Sequence, residues 1–471
     1  MKPVKAWISA LCLLISNAAC GQGISYSEAT GVLVIPSVAV GSENYVDVTL
    51  LNVGPGYTFS LKSATQQSPP GSALASYEPE SGLLTLPSVA VGATYYDVTL
   101  QNTGNYTFVL KTASVVATAA GRLEAVARLN RISALEIASA VQAAGGSLPG
   151  VMPVYDVTNY RVSYRTLDAQ GKQIVASALV SVPQKAPGAT SPVLSYQHGT
   201  MFQDAEVPSN HAVASEPAVA FASMGFIVVA PDYVGYGASK GAPHPYLLSA
   251  PSAAAVIDLL TAAKTWRTQN GVPDNGQLFL VGYSEGGYVT VAAHRALQNA
   301  ASSHLAGLVA AIPGAGPYNV VLTLDALLDR VQNEVPLLGA LITPDLLRLL
   351  PTWVRNWLRD ELLKRLIPAD ADVVFDTRII DNFMRDDDAA IDRESNVHDW
   401  APIAPVRLFH GRDDQTVPYV NATVTLHDML ARGARDVTLT DCPAVPSSHL
   451  GCVPPYVAFV LDQIAARVRD L

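Results

Sequence analysis

The residues best suited to chemistry lie in Gly282-Tyr283-Ser284-Glu285-Gly286-Gly287. A serine hydroxyl is a weak nucleophile, so it must be presented on a tight turn within reach of a base. Flanking glycines let the backbone make that turn between a strand and a helix. Leu278 to Val281 reads as the strand and Tyr288 to Leu297 as the helix. A bare G-x-S-x-G arises by chance in roughly one chain in six of this length, and a second copy is present, Gly237-Ala238-Ser239-Lys240-Gly241. Pro243 and Pro245 forbid a helix after it, so Ser284 and not Ser239 is the expected nucleophile.

Such a serine needs a base, and the base needs an acid. The segment Val406-Arg407-Leu408-Phe409-His410-Gly411-Arg412-Asp413-Asp414 brings two adjacent carboxylates onto a loop leaving a late strand. There an aspartate can fix the imidazole tautomer and stabilise imidazolium. Of the nine histidines, only His427 and His449 follow it. His427 falls mid-helix, whereas His449 lies in a flexible loop before the helix Tyr456 to Val468, so His449 is the expected base. Acyl transfer also requires donors for an oxyanion. The amide of Glu285 supplies one, and the loop Gln197 to Met201 supplies the other, with Thr200 the choice and Met201 the alternative. His198 and His410 read as loop braces.

The elements that must position these groups alternate short apolar strands with longer Ala-rich amphipathic segments, the pattern of an α/β protein with a mostly parallel sheet. Eight strands are expected, Tyr160 to Tyr164, Ile174 to Val182, Val193 to Gln197, Phe226 to Ala230, Leu278 to Val281, Leu308 to Ile312, Val406 to Phe409 and Val437 to Thr440. Between the sixth and seventh, residues 320–400 carry Leu337 to Ile342, Leu346, Leu347, Leu349, Leu350, Trp353, Trp357, Leu362 and Leu363 at largely helical spacing, which reads as a helical cap. The acidic run Asp386-Asp387-Asp388 reads as a solvated turn.

Upstream, the sequence repeats itself. Gly31 to Gly41 recurs as Gly82 to Gly92, Asp47 to Leu50 as Asp97 to Leu100, and Tyr57 to Phe59 as Tyr106 to Phe108, the offset drifting from 51 to 49 residues. Each copy holds β-branched and aromatic runs punctuated by Gly, Asn and Pro and reads as a small antiparallel meander. The expected organisation is a signal peptide at 1–19, β repeat 1 at 20–62, a linker at 63–75, β repeat 2 at 76–112 and the large domain at 113–471.

The start carries Lys2 and Lys5, an apolar stretch from Ala6 to Ile15 and a small-residue exit, which together read as a secretory signal. Ala18-Ala19-Cys20-Gly21 resembles a bacterial lipoprotein cleavage box, although Asn17 stands where an aliphatic residue is usual. Lipidation of Cys20 is therefore favoured over simple secretion. The expected location is the bacterial cell envelope, or else the periplasm or exterior. Of four cysteines, Cys12 leaves with the signal and Cys20 stands at the new terminus, so Cys442 and Cys452 remain to pair around His449.

With 30 basic and 40 acidic residues, the net charge of −10 argues against nucleic acid as a partner. Hydrophobic residues at 49% and charged ones at 15% exclude a charged disordered chain.

Residues from about 150 to 471 resemble an α/β-hydrolase of the secreted lipase and esterase type. The resemblance rests on the nucleophile turn, on Ala230-Pro231-Asp232-Tyr233-Val234-Gly235-Tyr236-Gly237, and on a match to His-Gly-x-x-Asp-x-x-Val-Pro from His410 to Pro418. That last signature places the acid at Asp414 rather than Asp413. The resemblance implies hydrolysis of a small-molecule ester or lipid through an acyl-enzyme, without metal or organic cofactor. A serine peptidase on the same fold shares the triad order. It is disfavoured by the apolar cap and the lack of an evident acidic pair for a substrate N-terminus. A non-enzymatic surface adhesin using the repeats is disfavoured by the three ordered catalytic residues.

Overall fold

Each sequence copy folds into four strands. The first gives β1 (Ser25–Ser27), β2 (Val32–Val40), β3 (Glu43–Gly54) and β4 (Thr58–Gln67); the second gives β5 (Ala75–Glu78), β6 (Leu83–Val91), β7 (Thr94–Gly104) and β8 (Thr107–Val115). The computed structural model describes residues 24–67, 73, 75–91, 94–115, 120–146, 148–334 and 351–471. The signal segment, Cys20 and the apolar stretch Leu337 to Leu350 lie outside the described residues.

Successive strands within a copy pair antiparallel, and β4 pairs with β8. Parallel pairings of β1 with β6 and β2 with β5 then close the sheet on itself. Neither copy has a core of its own: Leu33, Ile35, Val38, Leu50 and Phe59 bury in one cluster with Leu84, Leu86, Val89, Leu100 and Phe108. The two expected meanders are thus one barrel-like domain, which covers edges that a lone meander would leave open. Residues 63–67 continue β4 as strand instead of opening the linker, because β3 supplies their backbone partners. The repeat is visible in detail, for Asn52 Nδ2 donates to Tyr26 Oη at 3.2 Å and Asn102 Nδ2 to Tyr77 Oη at 2.8 Å.

A second compact unit comprises residues 121–123 and 128–471. Its strands are β9 (Leu123–Ile132), β10 (Val157–Leu167), β11 (Gln173–Pro183), β12 (Ser191–Gln197), β13 (Ile227–Pro231), β14 (Asp274–Tyr283), β15 (Leu308–Gly314), β16 (Val406–His410) and β17 (Val437–Asp441), in the order β17-β16-β15-β14-β12-β13-β11-β10-β9. All eight expected segments are strands. The expectation of an eight-stranded, mostly parallel sheet is corrected on two counts. A ninth strand, β9, is added at the edge, and the sheet is mixed, since β11 runs antiparallel to both β10 and β13. Parallel pairing runs from β13 through β12, β14, β15 and β16 to β17. Helices cover these strands on both faces, which is why Leu278 to Gly282 are all buried and show no polar alternation.

The chain lays β13 on one side of β12 and β14 on the other. The crevice at the carboxyl ends of β12 and β14 is the switch point where α/β sheets place their ligands. Residues Val320–Glu334, Thr352–Leu366, Arg378–Met384 and Asp388–Glu394 form helices in the expected cap region. Trp353 and Trp357 are exposed, not packed. The acidic run begins a helix, with the Asp387 carboxylate capping it by accepting the Ala390 amide at 3.0 Å.

Candidate active site

Strand β14 ends at Tyr283 and a helix begins at Glu285, so Ser284 alone makes the turn. Its backbone sits at φ 59° and ψ −123°, outside the regions an L-residue normally occupies, a strain that collects at functional sites. Two glycines make the turn compatible with the sheet. A Cβ on Gly286 would lie 2.0 Å from Gln197 O, and one on Gly282 would lie 2.3 Å from Gly286 O. The Ser284 amide donates to Gly314 O at the end of β15, 2.9 Å away. Tyr456 Oη accepts the Gly282 amide at 2.8 Å, so the C-terminal helix Val453–Ala465 also holds the turn.

His449 and Asp414 converge on this serine. Ser284 Oγ lies 2.9 Å from His449 Nε2, and His449 Nδ1 lies 2.6 Å from Asp414 Oδ2. Both the imidazole and the carboxylate are buried. Asp414 Oδ1 accepts the amides of Thr416 and Val417 at 2.8 and 2.9 Å. Burial alone would push this carboxyl up; hydrogen bonds from His410 and His449 and from the Val417 amide outweigh it and hold it well below the usual carboxylate range. A permanently ionised Asp414 requires the proton on Nδ1 of His449, which leaves Nε2 to face the serine hydroxyl.

The other candidates fall elsewhere. Asp413 turns away to Ser447, accepting from its amide and its Oγ at 2.9 Å each. It therefore clasps the loop that carries His449. His427 is exposed and contacts only Asp428 among the described hydrogen-bond partners. Ser239 sits in a short 3₁₀ turn, Gly237–Ser239, where its hydroxyl accepts from the Gly235 amide at 3.0 Å and donates to Tyr236 O at 2.9 Å. His410 braces the acid loop, Nε2 lying 2.9 Å from Val417 O and 3.3 Å from Asp414 Oδ2.

The loop after β12 passes close over the nucleophile, for a Cβ on Gly199 would lie 3.4 Å from Tyr283 O and 3.8 Å from Ser284 Cβ. Thr200 follows directly, its hydroxyl donating to Tyr246 Oη at 3.2 Å. The Glu285 amide is the first of its helix, where amides lack intrahelical partners. His198 is buried against Tyr233, ring centroids 4.2 Å apart, and burial pushes its imidazole below its ordinary value. Cys442 and Cys452 form a disulfide, Cα atoms 5.9 Å apart, that bridges the end of β17 to the helix after His449.

The family model described as serine aminopeptidase, S33, matches residues 210–444. The rice cell wall degrading esterase LipA from Xanthomonas oryzae, solved in a ligand-bound form, superposes with a TM-score of 0.58 at 25% identity, over 75% of this chain and 100% of that one. The larger unit has the α/β-hydrolase fold. A Legionella pneumophila protein has the same fold at a TM-score of 0.57 and 24% identity, over 72% of this chain and 96% of that one. Candida antarctica lipase A in its closed state gives a TM-score of 0.48 at 17% identity, covering 75% of this chain and 84% of that one. No curated protein matches the chain in sequence. Two features of the site had no counterpart in the sequence reading. One is the hold of Tyr283 on the His449 backbone; the other is a buried contact between His244 and the Glu285 side chain.

Proposed function

We propose that the chain is an exported serine esterase that cleaves carboxylic esters through an acyl-enzyme. Ser284 is the nucleophile, His449 the base and Asp414 the residue that orients it. The observation that carries the reading is the continuous hydrogen-bonded path from Ser284 Oγ to His449 Nε2 and from His449 Nδ1 to Asp414 Oδ2, at 2.9 and 2.6 Å, starting on the strained turn.

As Ser284 Oγ attacks the ester carbonyl carbon, its proton passes to His449 Nε2, and the Asp414 carboxylate stabilises the imidazolium. The negative charge developing on the carbonyl oxygen is met by the amides of Glu285 and Thr200. Collapse of the tetrahedral adduct expels the alcohol, which takes the proton from His449. Water, deprotonated by the same imidazole, then releases the acid and restores Ser284. Export is supported by the signal-like start and by the disulfide, which suits an oxidising compartment. Lipidation of Cys20 would tether the enzyme to the envelope, and labelled fatty acid incorporated into wild type but not into Cys20→Ser tests that.

The likeness to LipA favours esters; the description of the matching family model favours a peptidase. Nitrophenyl esters assayed beside aminoacyl-nitroanilides separate the two. Ester turnover exceeding amide turnover supports the esterase, and amide turnover without ester preference establishes the peptidase.

A further inference from the structure

We infer that His244 and the Glu285 side chain form a charge-cancelling pair that keeps the oxyanion site electrically neutral, with His244 acting as a positioning residue. The inference rests on the acyl-transfer reading, since it concerns the amide of that same Glu285.

The argument begins with a proton count. His244 Nδ1 lies 2.9 Å from Val234 O, and a carbonyl only accepts, so Nδ1 carries a hydrogen. His244 Nε2 lies 2.8 Å from Glu285 Oε1, and a bare lone pair would not sit there against a carboxylate. One further proton therefore lies between them. Whichever atom holds it, the pair has no net charge. Both side chains are 2% exposed, and Glu285 Oε2 is buried with no hydrogen-bond partner among the described residues. An uncompensated carboxylate here would stand one residue from the nucleophile, on the residue whose amide meets the oxyanion, and would oppose the charge the transition state develops.

The titratable groups facing Glu285 are His198 from the loop after β12, Tyr233 and Tyr236 from the loop after β13, Tyr246, and Tyr288 on its own helix. Burial pushes the four phenols up and the imidazole down, so each is held uncharged and cancellation falls to His244. Its placement is firmly built. A Cβ on Gly235, at φ 101°, would lie 2.8 Å from His244 Cβ, so glycine is needed for the approach. The His244 amide donates to Val374 O at 2.7 Å and its carbonyl accepts from the Asp376 amide at 2.8 Å. The pair thus joins the nucleophile turn to a segment of the cap region.

The test compares wild type, His244→Gln, Glu285→Gln and the double variant. Glutamine at 244 can still donate to Glu285 but carries no proton for exchange. With the carboxylate left uncompensated, kcat of His244→Gln on a nitrophenyl ester is expected to fall about tenfold or more, with KM within about threefold. The double variant, having no carboxyl, should recover to within about threefold of Glu285→Gln. A loss that the second substitution does not recover overturns the inference, because packing alone would then explain His244. Should His244→Gln not fold, His244→Asn takes its place in the same comparison, with the same supporting and overturning results. The rate of Ser284 phosphonylation by a fluorophosphonate gives the same comparison without ester turnover. A wild type inert to esters yet labelled by the probe sinks the esterase reading while leaving this one decidable.

Discussion

Tyr283 Oη donates to the backbone carbonyl of His449 at 2.7 Å, so the residue before the nucleophile holds the residue that carries the base. The rings lie 5.3 Å apart, and the ring of Tyr456 packs 5.1 Å from that of Tyr283. Removing the hydroxyl loosens the loop without touching a reacting group. Tyr283→Phe should lower kcat about three- to tenfold with little change in KM, in keeping with loss of one hydrogen bond of about 1 kcal/mol. An unchanged kcat would mean that the disulfide and Asp413 hold the loop unaided.

The adjacent aspartates have separate tasks and should respond separately. Asp414→Asn leaves the shape but permits the wrong imidazole tautomer, so kcat should fall by about 10³ to 10⁴. Asp413→Asn loosens only the clasp on Ser447 and should cost less than about tenfold. Equal losses in the two variants would contradict the assignment of the acid.

The disulfide closes a ten-residue separation around the loop of the base. Replacing Cys442 and Cys452 together by Ser should cost about 2–3 kcal/mol of stability, seen as a lower melting temperature. It should also reduce kcat more than KM, since His449 lies between them. An unaltered melt with no change in kcat would show the cross-link to be idle.

Burial pushes Glu216 up to about 8, far from the value near 4.5 of an exposed glutamate. The folded state then binds the proton more tightly than the unfolded chain does. Stability is lost as pH rises from the unfolded value to about 8. Glu216→Gln removes that loss, so its gain in melting temperature should be small at pH 4.5 and larger at pH 8. A gain that does not grow with pH would contradict the shift.

The parts of this molecule that were legible in the sequence are those written in local spacing. The strand before Ser284 and the helix after it, the order of serine, aspartate and histidine, and the eight strand segments all declare themselves within a few residues. What was missed depends on partners far along the chain. β9 looks like any half-exposed run until β10 is beside it, and the closing of the repeats rests on pairings of β1 with β6 and β2 with β5 that no single copy announces. His244, set between Pro243 and Pro245, reads as a loop residue, and its carboxylate partner lies 41 residues away. Asp413 and Asp414 differ by one position in sequence, yet one faces Ser447 and the other His449.

The central claim is most directly tested by hydrolysis of nitrophenyl esters with acyl chains of about two to sixteen carbons, comparing wild type with Ser284→Ala and Ser239→Ala at equal folding by circular dichroism. Turnover should vanish in Ser284→Ala and largely survive in Ser239→Ala, whose buried hydroxyl bonds to the backbone of Gly235 and Tyr236. Ester hydrolysis that persists in folded Ser284→Ala would contradict the account.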